Sequence, residues 1–144
     1  MAQLSDRLNR LAPSQTLAMS QKSNEMKAQG VDVINMSVGE PDFNTPEPIK
    51  EAAKKAIDDN FSRYSPVPGY ADLRKAIVAK LKKENNLDYT TDEVLVSNGA
   101  KQSVCNTVMA LVNDGEEVII PAPYWVSYPQ MVKLAGGTPV IVNA

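Results

Sequence analysis

The pattern of apolar and polar positions indicates helices in the middle of the chain. Ile49 is followed by apolar residues three, four, seven and eight positions later, which places them in one stripe along a helix. Thr45 is predicted to cap this helix, with Pro46 as its first residue. A further helix is predicted around residues 73–81, with lysine and arginine on its solvent-facing side.

The first part of the chain predicts one helix followed by a short extended run. Residues 14–29 form a loosely amphipathic pattern, and Gly30 is predicted to end the helix in the C′ position. Residues 31–36 are rich in β-branched side chains and predict a strand. The glycine and proline within residues 39–43 then predict a break.

From residue 92 onward, short apolar runs alternate with helical stretches. Strands are predicted at residues 93–96, 117–120 and 139–142, with helices at 101–112 and 124–134 between them. Strand, helix, strand, helix, strand predicts an α/β fold with a sheet that is largely parallel or mixed.

Composition narrows the functional classes. The chain of 144 residues is 43% hydrophobic and 22% charged, with a net charge of -2, which is typical of a globular domain without a nucleic-acid-binding stripe. The absence of histidine excludes Ser-His, Cys-His and His-ligated metal chemistry within these residues. Cys105 is the single cysteine, and residues 1–10 lack the apolar core of a secretory signal, so we expect a cytoplasmic protein.

One candidate binding element lies between the predicted strand 93–96 and the helix that follows it. Backbone N–H groups at a helix N-terminus favour a bound phosphate, and Gly99 with the small Ala100 would let the backbone approach it. The alternative is an ordinary capped turn. The stretch matches neither a P-loop nor a G-x-G-x-x-G fingerprint.

Three other stretches are candidates of the same kind. Trp125 follows the predicted strand 117–120 and could stack on a flat heterocycle at the carboxyl edge of the sheet, or simply pack in the core. The Tyr64 hydroxyl could donate to a phosphate, or face water. Gly39 could leave its backbone amide open to a substrate, or belong to a plain turn.

In this order, these stretches resemble class I aminotransferases of fold type I. The matching segments are residues 39–43, Tyr64 with Gly69, residues 98–102 and residues 123–129. They are most similar to the bacterial aspartate aminotransferase branch. The resemblance implies the N-terminal part of the large domain, a three-layer α/β/α sheet that is incomplete here. It also implies an N-terminal arm and small-domain segment over residues 1–45, with residues 46–144 in the cofactor-binding domain.

The resemblance implies a pyridoxal 5'-phosphate cofactor and a role for each matched position. Gly99, Ala100 and Lys101 would surround the cofactor phosphate with backbone amides, and Trp125 would lie on the pyridine ring. Tyr64 would reach the phosphate of the partner subunit's cofactor, which implies a homodimer.

The same resemblance implies part of a substrate site for amino acids and 2-oxo acids. The Gly39 amide would help to hold the α-carboxylate. Thr16, Lys101 and Trp125 correspond to positions that recognise the distal carboxylate of aspartate or glutamate. Ala12 stands where members that also use prephenate carry a lysine, so prephenate activity is not expected.

The expected activity of the intact protein is amino transfer from L-aspartate to 2-oxoglutarate. The resemblance places the cofactor-bearing lysine beyond Ala144, so no catalytic residue is expected here and this chain by itself is expected to be inactive. Alternatives are another fold type I enzyme, such as a different aminotransferase or a lyase, and a non-catalytic fragment that binds no cofactor. A nucleotide-binding domain ranks last, because the Gly-rich fingerprint is missing.

Overall fold

A computed structural model describes residues 4–144, so residues 1–3 of the predicted segment 1–45 lie outside the described residues. The chain forms two compact units, one that joins residues up to Glu40 with Ala100–Ala144 and one that comprises Pro41–Gly99. The sequence-based division at residue 45 concerns the domains of the intact protein and stays a prediction.

Helices make up the first part of the chain, and strands and helices alternate from α5 onward. In chain order they are α1 (Asp6–Asn9), α2 (Gln15–Ala28), α3 (Glu47–Asp58), α4 (Ala71–Asn85), α5 (Ala100–Leu111), β1 (Glu117–Ala122), α6 (Tyr128–Ala135) and β2 (Thr138–Asn143). No described helix is both long enough and apolar enough to cross a membrane.

The sheet of the first unit is parallel. Strands β1 and β2 run side by side, with Glu117 opposite Thr138 at one end and Ala122 opposite Asn143 at the other. Helix α6 connects them and packs against both strands and against α5. Ile120, Met131 and Val132 are buried between strand and helix. The predicted α/β class with a parallel sheet is therefore confirmed.

Two predicted strands are wrong. Residues 31–36 are irregular. In the predicted strand 93–96, Glu93 ends a 3-10 turn at Thr91–Glu93, and residues 94–96 follow it without entering a sheet. Val94 does have extended backbone angles, with φ -117° and ψ 121°. A strand also needs a neighbour for its backbone hydrogen bonds, and neither stretch pairs with another described strand. The described sheet therefore has two strands in place of the predicted three.

Local capping explains where α2 begins and ends. The Ser14 side chain accepts a hydrogen bond from the Leu17 N–H at 3.3 Å, which satisfies a backbone donor of the first turn. Gly30 follows the helix with φ +80°, a backbone conformation that glycine adopts without steric cost. These contacts confirm the predicted helix to within one residue at each end.

Two other helices begin later than predicted. Helix α3 starts at Glu47, with Pro46 in the extended cap position, and Thr45 does not cap it. Helix α6 starts at Tyr128, not at residue 124, with Pro129 in its first turn, where the missing N–H costs no helical hydrogen bond. The four residues from 124 to 127 are left as a turn, and this turn carries Trp125.

In the second unit, the backbone at residues 68–69 lies close to the backbone at Val96. The Val96 N–H donates to the Pro68 carbonyl at 3.1 Å, and a Cβ at Gly69 would lie 2.7 Å from Val96 Cγ2. Arg74 of α4 donates from Nη1 to the Thr91 carbonyl at 2.8 Å and so holds the 3-10 turn. These contacts fix the backbone that leads towards Gly99.

Candidate functional site

The turn before α5 presents open backbone. Gly99 has φ +83°, and its N–H donates to the Ser97 carbonyl at 2.8 Å. No described atom lies within 4 Å of the place where a Cβ of Gly99 would be. The turn therefore requires glycine for its conformation and leaves free space beside it.

Gly99 leads directly into α5, whose first two residues are Ala100 and Lys101. The first turn of an α-helix contains N–H groups without partners inside the helix, and the helix dipole gives this end a partial positive charge. The Lys101 side chain adds a full positive charge to the same turn. This end of α5 therefore favours an anionic group such as a phosphate or a carboxylate.

The Lys101 ammonium group lies 5.4 Å from the centroid of the Trp125 ring. This distance is within the range of a cation–π interaction. It brings together the first turn of α5 and the turn that follows the carboxyl end of β1, the edge where α/β folds bind ligands. Trp125 is still 46% exposed with the ammonium in place, so it is not a core residue and its indole remains accessible to a planar ligand.

The turn between α5 and β1 has its own fixed geometry. The Glu116 carboxylate accepts from the Asn113 backbone N–H at 2.7 Å and from the Asn113 side-chain amide at 3.2 Å. These hydrogen bonds, the backbone one first, lower the pKa of Glu116 because they stabilise its charged form. The turn returns the chain from α5 into the strand that leads to Trp125.

The other predicted substrate contacts of the first unit are Thr16 and Gly39. Thr16 belongs to helix α2, and Gly39 lies in the irregular segment that follows this helix. Thr16 is in the first turn of α2 and lines a cavity of about 520 Å³ between this helix and residues 33–37. Gly39 comes two residues after Ser37, which lines the same cavity, and has no described atom within 4 Å of its Cβ position.

Tyr64 belongs to the second unit, where its side chain is fully exposed. Its exposure is compatible with a contact to another subunit, and its predicted role stays a prediction.

Hydrogen bonds near these residues identify three side chains that sequence reasoning missed. Ser20 of α2 lies 3.3 Å from Ser37, Oγ to Oγ. Gln130 of α6 accepts from the Ala12 N–H at 3.2 Å through Oε1, and so ties the segment before α2 to the helix after Trp125. The helical spacing of Thr16 and Ser20 indicates that they share one face of α2, whereas no local signal marks the contact with Ser37 or the one between Gln130 and Ala12.

A family comparison covers most of the chain. The model of aminotransferase class I and II matches residues 31–144, a range that includes Gly39, Tyr64, Gly99, Lys101 and Trp125. This confirms the resemblance that the sequence motifs indicated.

Two curated relatives have similar names. A probable aspartate/prephenate aminotransferase of Rickettsia bellii is 55% identical over 143 residues, which are 99% of this chain and 36% of the relative. The aspartate/prephenate aminotransferase of Cereibacter sphaeroides is 55% identical over 144 residues, 100% of this chain and 36% of its own length. The chain thus spans 36% of the length of these relatives.

Two solved structures agree with this. The aspartate aminotransferase from Rhizobium meliloti superposes with a TM-score of 0.94 and 40% identity, over 100% of this chain and 36% of that one. The Thermus thermophilus aspartate aminotransferase with maleate superposes with a TM-score of 0.93 and 44% identity. This match covers 99% of this chain and 37% of that one. The predicted fold, part of a fold type I enzyme, is confirmed by these likenesses. The chain belongs to the aminotransferase class I and II family.

Proposed function

We propose that the intact protein containing this chain is a pyridoxal 5'-phosphate-dependent aminotransferase that moves the amino group of L-aspartate to 2-oxoglutarate. The observation that carries the proposal is the contact between Lys101 and Trp125 at 5.4 Å, at the first turn of a helix that follows an open glycine turn. The names of its relatives, which include aspartate, support the choice of donor.

The described residues fit the cofactor in charge and shape. A phosphate is favoured at the first turn of α5, where no Cβ fills the space beside Gly99. An exposed indole next to that turn is suited to cover an aromatic ring. When bound, pyridoxal phosphate supplies an aromatic electron sink for chemistry at the amino-bearing carbon of the substrate.

Each proposed residue performs a binding task. The backbone amides of Ala100 and Lys101 are proposed to hold the phosphate. Gly99 donates its own N–H to the Ser97 carbonyl, so its proposed part is to leave space for the phosphate beside the turn. The Trp125 ring orients the cofactor and excludes water from one of its faces. These groups align the reacting atoms, which is the main contribution that binding makes to rate.

A second set of groups would select a dicarboxylic substrate. The Lys101 ammonium and the Thr16 hydroxyl are proposed to hold the distal carboxylate, with the Trp125 indole N–H as a further donor. The Gly39 N–H is proposed to help hold the α-carboxylate. The group that takes the α-proton is proposed to be the cofactor-bearing lysine elsewhere in the intact protein, so this chain supplies binding and not proton transfer.

Tyr64 is proposed to act across a homodimer interface. A fully exposed phenol can donate a hydrogen bond to a phosphate held by another subunit. The intact enzyme is proposed to be cytoplasmic. Residues 1–45 and 46–144 are proposed to belong to its arm and small domain and to its cofactor-binding domain, respectively.

The reaction is tested with the purified intact protein loaded with pyridoxal phosphate. Aspartate and 2-oxoglutarate should give oxaloacetate and glutamate in equal amounts, with ping-pong kinetics. Without a 2-oxo acid acceptor, the ping-pong reaction stops after about one equivalent of oxaloacetate per active site. Continued release of product from the amino acid under these conditions would favour a lyase and contradict the proposal. Prephenate, as an alternative acceptor, should react more slowly than 2-oxoglutarate, since Ala12 supplies no cation.

A further inference from the structure

The side chains of α2 that face the rest of its unit carry hydroxyl groups, whereas its leucine side chain is exposed. Thr16, Ser20 and Ser23 are spaced four and three residues apart, so they share one face of the helix. Thr16 and Ser20 are partly buried and Ser23 is buried, whereas Leu17 is 70% exposed. Polar groups on an inward face have to find hydrogen-bond partners, so this face is built for polar contacts.

The partners of Ser20 form a short directional chain. Ser37 donates from Oγ to the Asn35 side-chain oxygen at 2.7 Å, and its backbone N–H donates to the same oxygen at 3.0 Å. A hydroxyl has one proton, so the Ser37 Oγ is the acceptor in its 3.3 Å contact with Ser20. Ser20 therefore donates to Ser37, and Ser37 donates to Asn35.

This chain of hydrogen bonds fixes one end of the segment that follows α2. The Val31 N–H donates to the Met26 carbonyl at 3.1 Å and attaches the near end of the segment to the helix. The Ser20–Ser37 contact attaches its far end. The cavity of about 520 Å³ lies between α2 and this segment, with both apolar and polar side chains around it.

The position of this contact relative to the proposed substrate groups suggests its role. Ser20 lies one helical turn from Thr16, and Ser37 lies two residues before Gly39. The contact therefore links the element proposed to hold the distal carboxylate to the element proposed to hold the α-carboxylate. The spacing between those two groups sets the length of dicarboxylic amino acid that can span them.

We propose that Ser20 and Ser37 are positioning residues that hold Thr16 and Gly39 at a spacing that a dicarboxylic amino acid can span. This inference rests on the proposed function. It assigns to the two serines a part in selecting dicarboxylic over monocarboxylic amino acids, without direct contact to the substrate.

The test uses Ser20→Ala and Ser37→Ala in the intact holoenzyme, with Ser5→Ala as the matched control. Ser5 precedes α1 and makes no side-chain cap hydrogen bond. Loss of one net hydrogen bond should raise the KM for aspartate roughly threefold to tenfold. The KM for glutamate should rise by a similar factor, whereas the KM for alanine, which has no distal carboxylate, should rise less. The kcat and the dissociation constant of pyridoxal phosphate should stay unchanged.

Three further measurements separate positioning from general stability. Ser37→Thr keeps the hydroxyl and should restore most of the aspartate affinity. The double variant Ser20→Ala, Ser37→Ala should be no worse than the poorer single variant, because both changes remove the same contact. The dissociation constant of maleate, a four-carbon dicarboxylate that undergoes no amino transfer, should shift with the KM for aspartate.

Opposite results would overturn the inference. They are an unchanged KM for aspartate in Ser20→Ala, an equal rise for aspartate and alanine, or weaker cofactor binding in the serine variants. Failure of the wild-type protein to bind cofactor or exchange amino groups would count against the proposed function instead. In that case the maleate measurement decides the inference, which is wrong if Ser20→Ala leaves maleate binding unchanged.

Discussion

The ammonium group of Lys101 lies 5.4 Å from the centroid of the Trp125 ring, although 24 residues separate them in the sequence. The contact connects the start of α5 to the turn after β1, so it depends on the return of the chain through the sheet. It places a cation, an aromatic face and the positive end of a helix next to one another. These three features together are complementary to a planar, negatively charged ligand.

The charge of Lys101 should select dicarboxylic donors. In the intact enzyme, Lys101→Met removes the ammonium but keeps the backbone amide that is proposed to hold the phosphate. A hydrogen bond to a charged group contributes about 1.5–3 kcal/mol, so the KM for aspartate should rise about tenfold to a hundredfold. Steady-state kinetics with aspartate and with alanine measure this, and an equal rise for alanine would contradict the role.

Gly69 should be required for the packing of the second unit. Gly69→Ala places a Cβ 2.7 Å from Val96 Cγ2 on a backbone with φ +94°, so it adds both a clash and conformational strain. Gly115→Ala is the matched control, because Gly115 has φ +86° but no atom within 4 Å of its Cβ position. In urea unfolding of the intact protein, Gly69→Ala should cost about 1–3 kcal/mol more than Gly115→Ala.

Removal of the obstructing methyl groups tests the cause of that difference. Val96→Ala should be partly compensatory, so that the double variant loses less stability than the sum of the single variants. The Val96 Cβ, 2.8 Å from the same position, stays in this variant, so strict additivity would mean that the contact with Val96 Cγ2 does not cause the loss.

The turn at Thr90 should make the free energy of unfolding decrease at low pH. The Glu93 carboxylate accepts from the Thr90 backbone N–H at 2.8 Å and from its hydroxyl at 2.9 Å, and these bonds lower the pKa of Glu93 from 4.5. The folded carboxyl then stays ionised at a pH where the unfolded one is already protonated. The contribution to stability is complete well above pH 4.5 and is lost as the pH falls through the lowered folded value.

A glutamine variant measures this contribution. Wild type should be more stable than Glu93→Gln at pH 7, and the difference in free energy of unfolding should shrink at about pH 3. Glu40→Gln, which changes an exposed carboxylate outside the turn, serves as the control. A difference that stays constant between the two pH values would show that the ionised form of Glu93 is not the stabilising one.

The sequence could predict those parts of the fold that depend on residues close together in the chain. The start and end of α2 followed from Ser14 and Gly30, whose effects act within one helical turn. The sheet was less predictable, because Val94 adopts extended angles without a neighbouring strand to bond. Strand propensity describes a residue, whereas a strand requires a partner that can be distant in the chain.

In the candidate site, too, one contact could be predicted from the sequence and another could not. The nearness of Lys101 and Trp125 was expected, because the turns that carry them follow the predicted strands 93–96 and 117–120, whose carboxyl ends would share one edge of a sheet. Only the second of these strands belongs to the described sheet. The contact between Ser20 and Ser37 could not be predicted in the same way. It depends on how residues 31–37 return along α2, and no backbone pattern in that irregular segment specifies the path.

Equilibrium dialysis of pyridoxal phosphate against the intact protein tests the central claim most directly, with Trp125→Ala and, as a matched aromatic control, Tyr89→Ala. Wild type should bind one cofactor per chain, and Trp125→Ala should bind about tenfold more weakly because ring stacking is lost. Tyr89→Ala, which changes a partly exposed aromatic of the second unit, should bind as wild type does. Absence of binding by the wild type, or equal affinity in Trp125→Ala, would contradict the account.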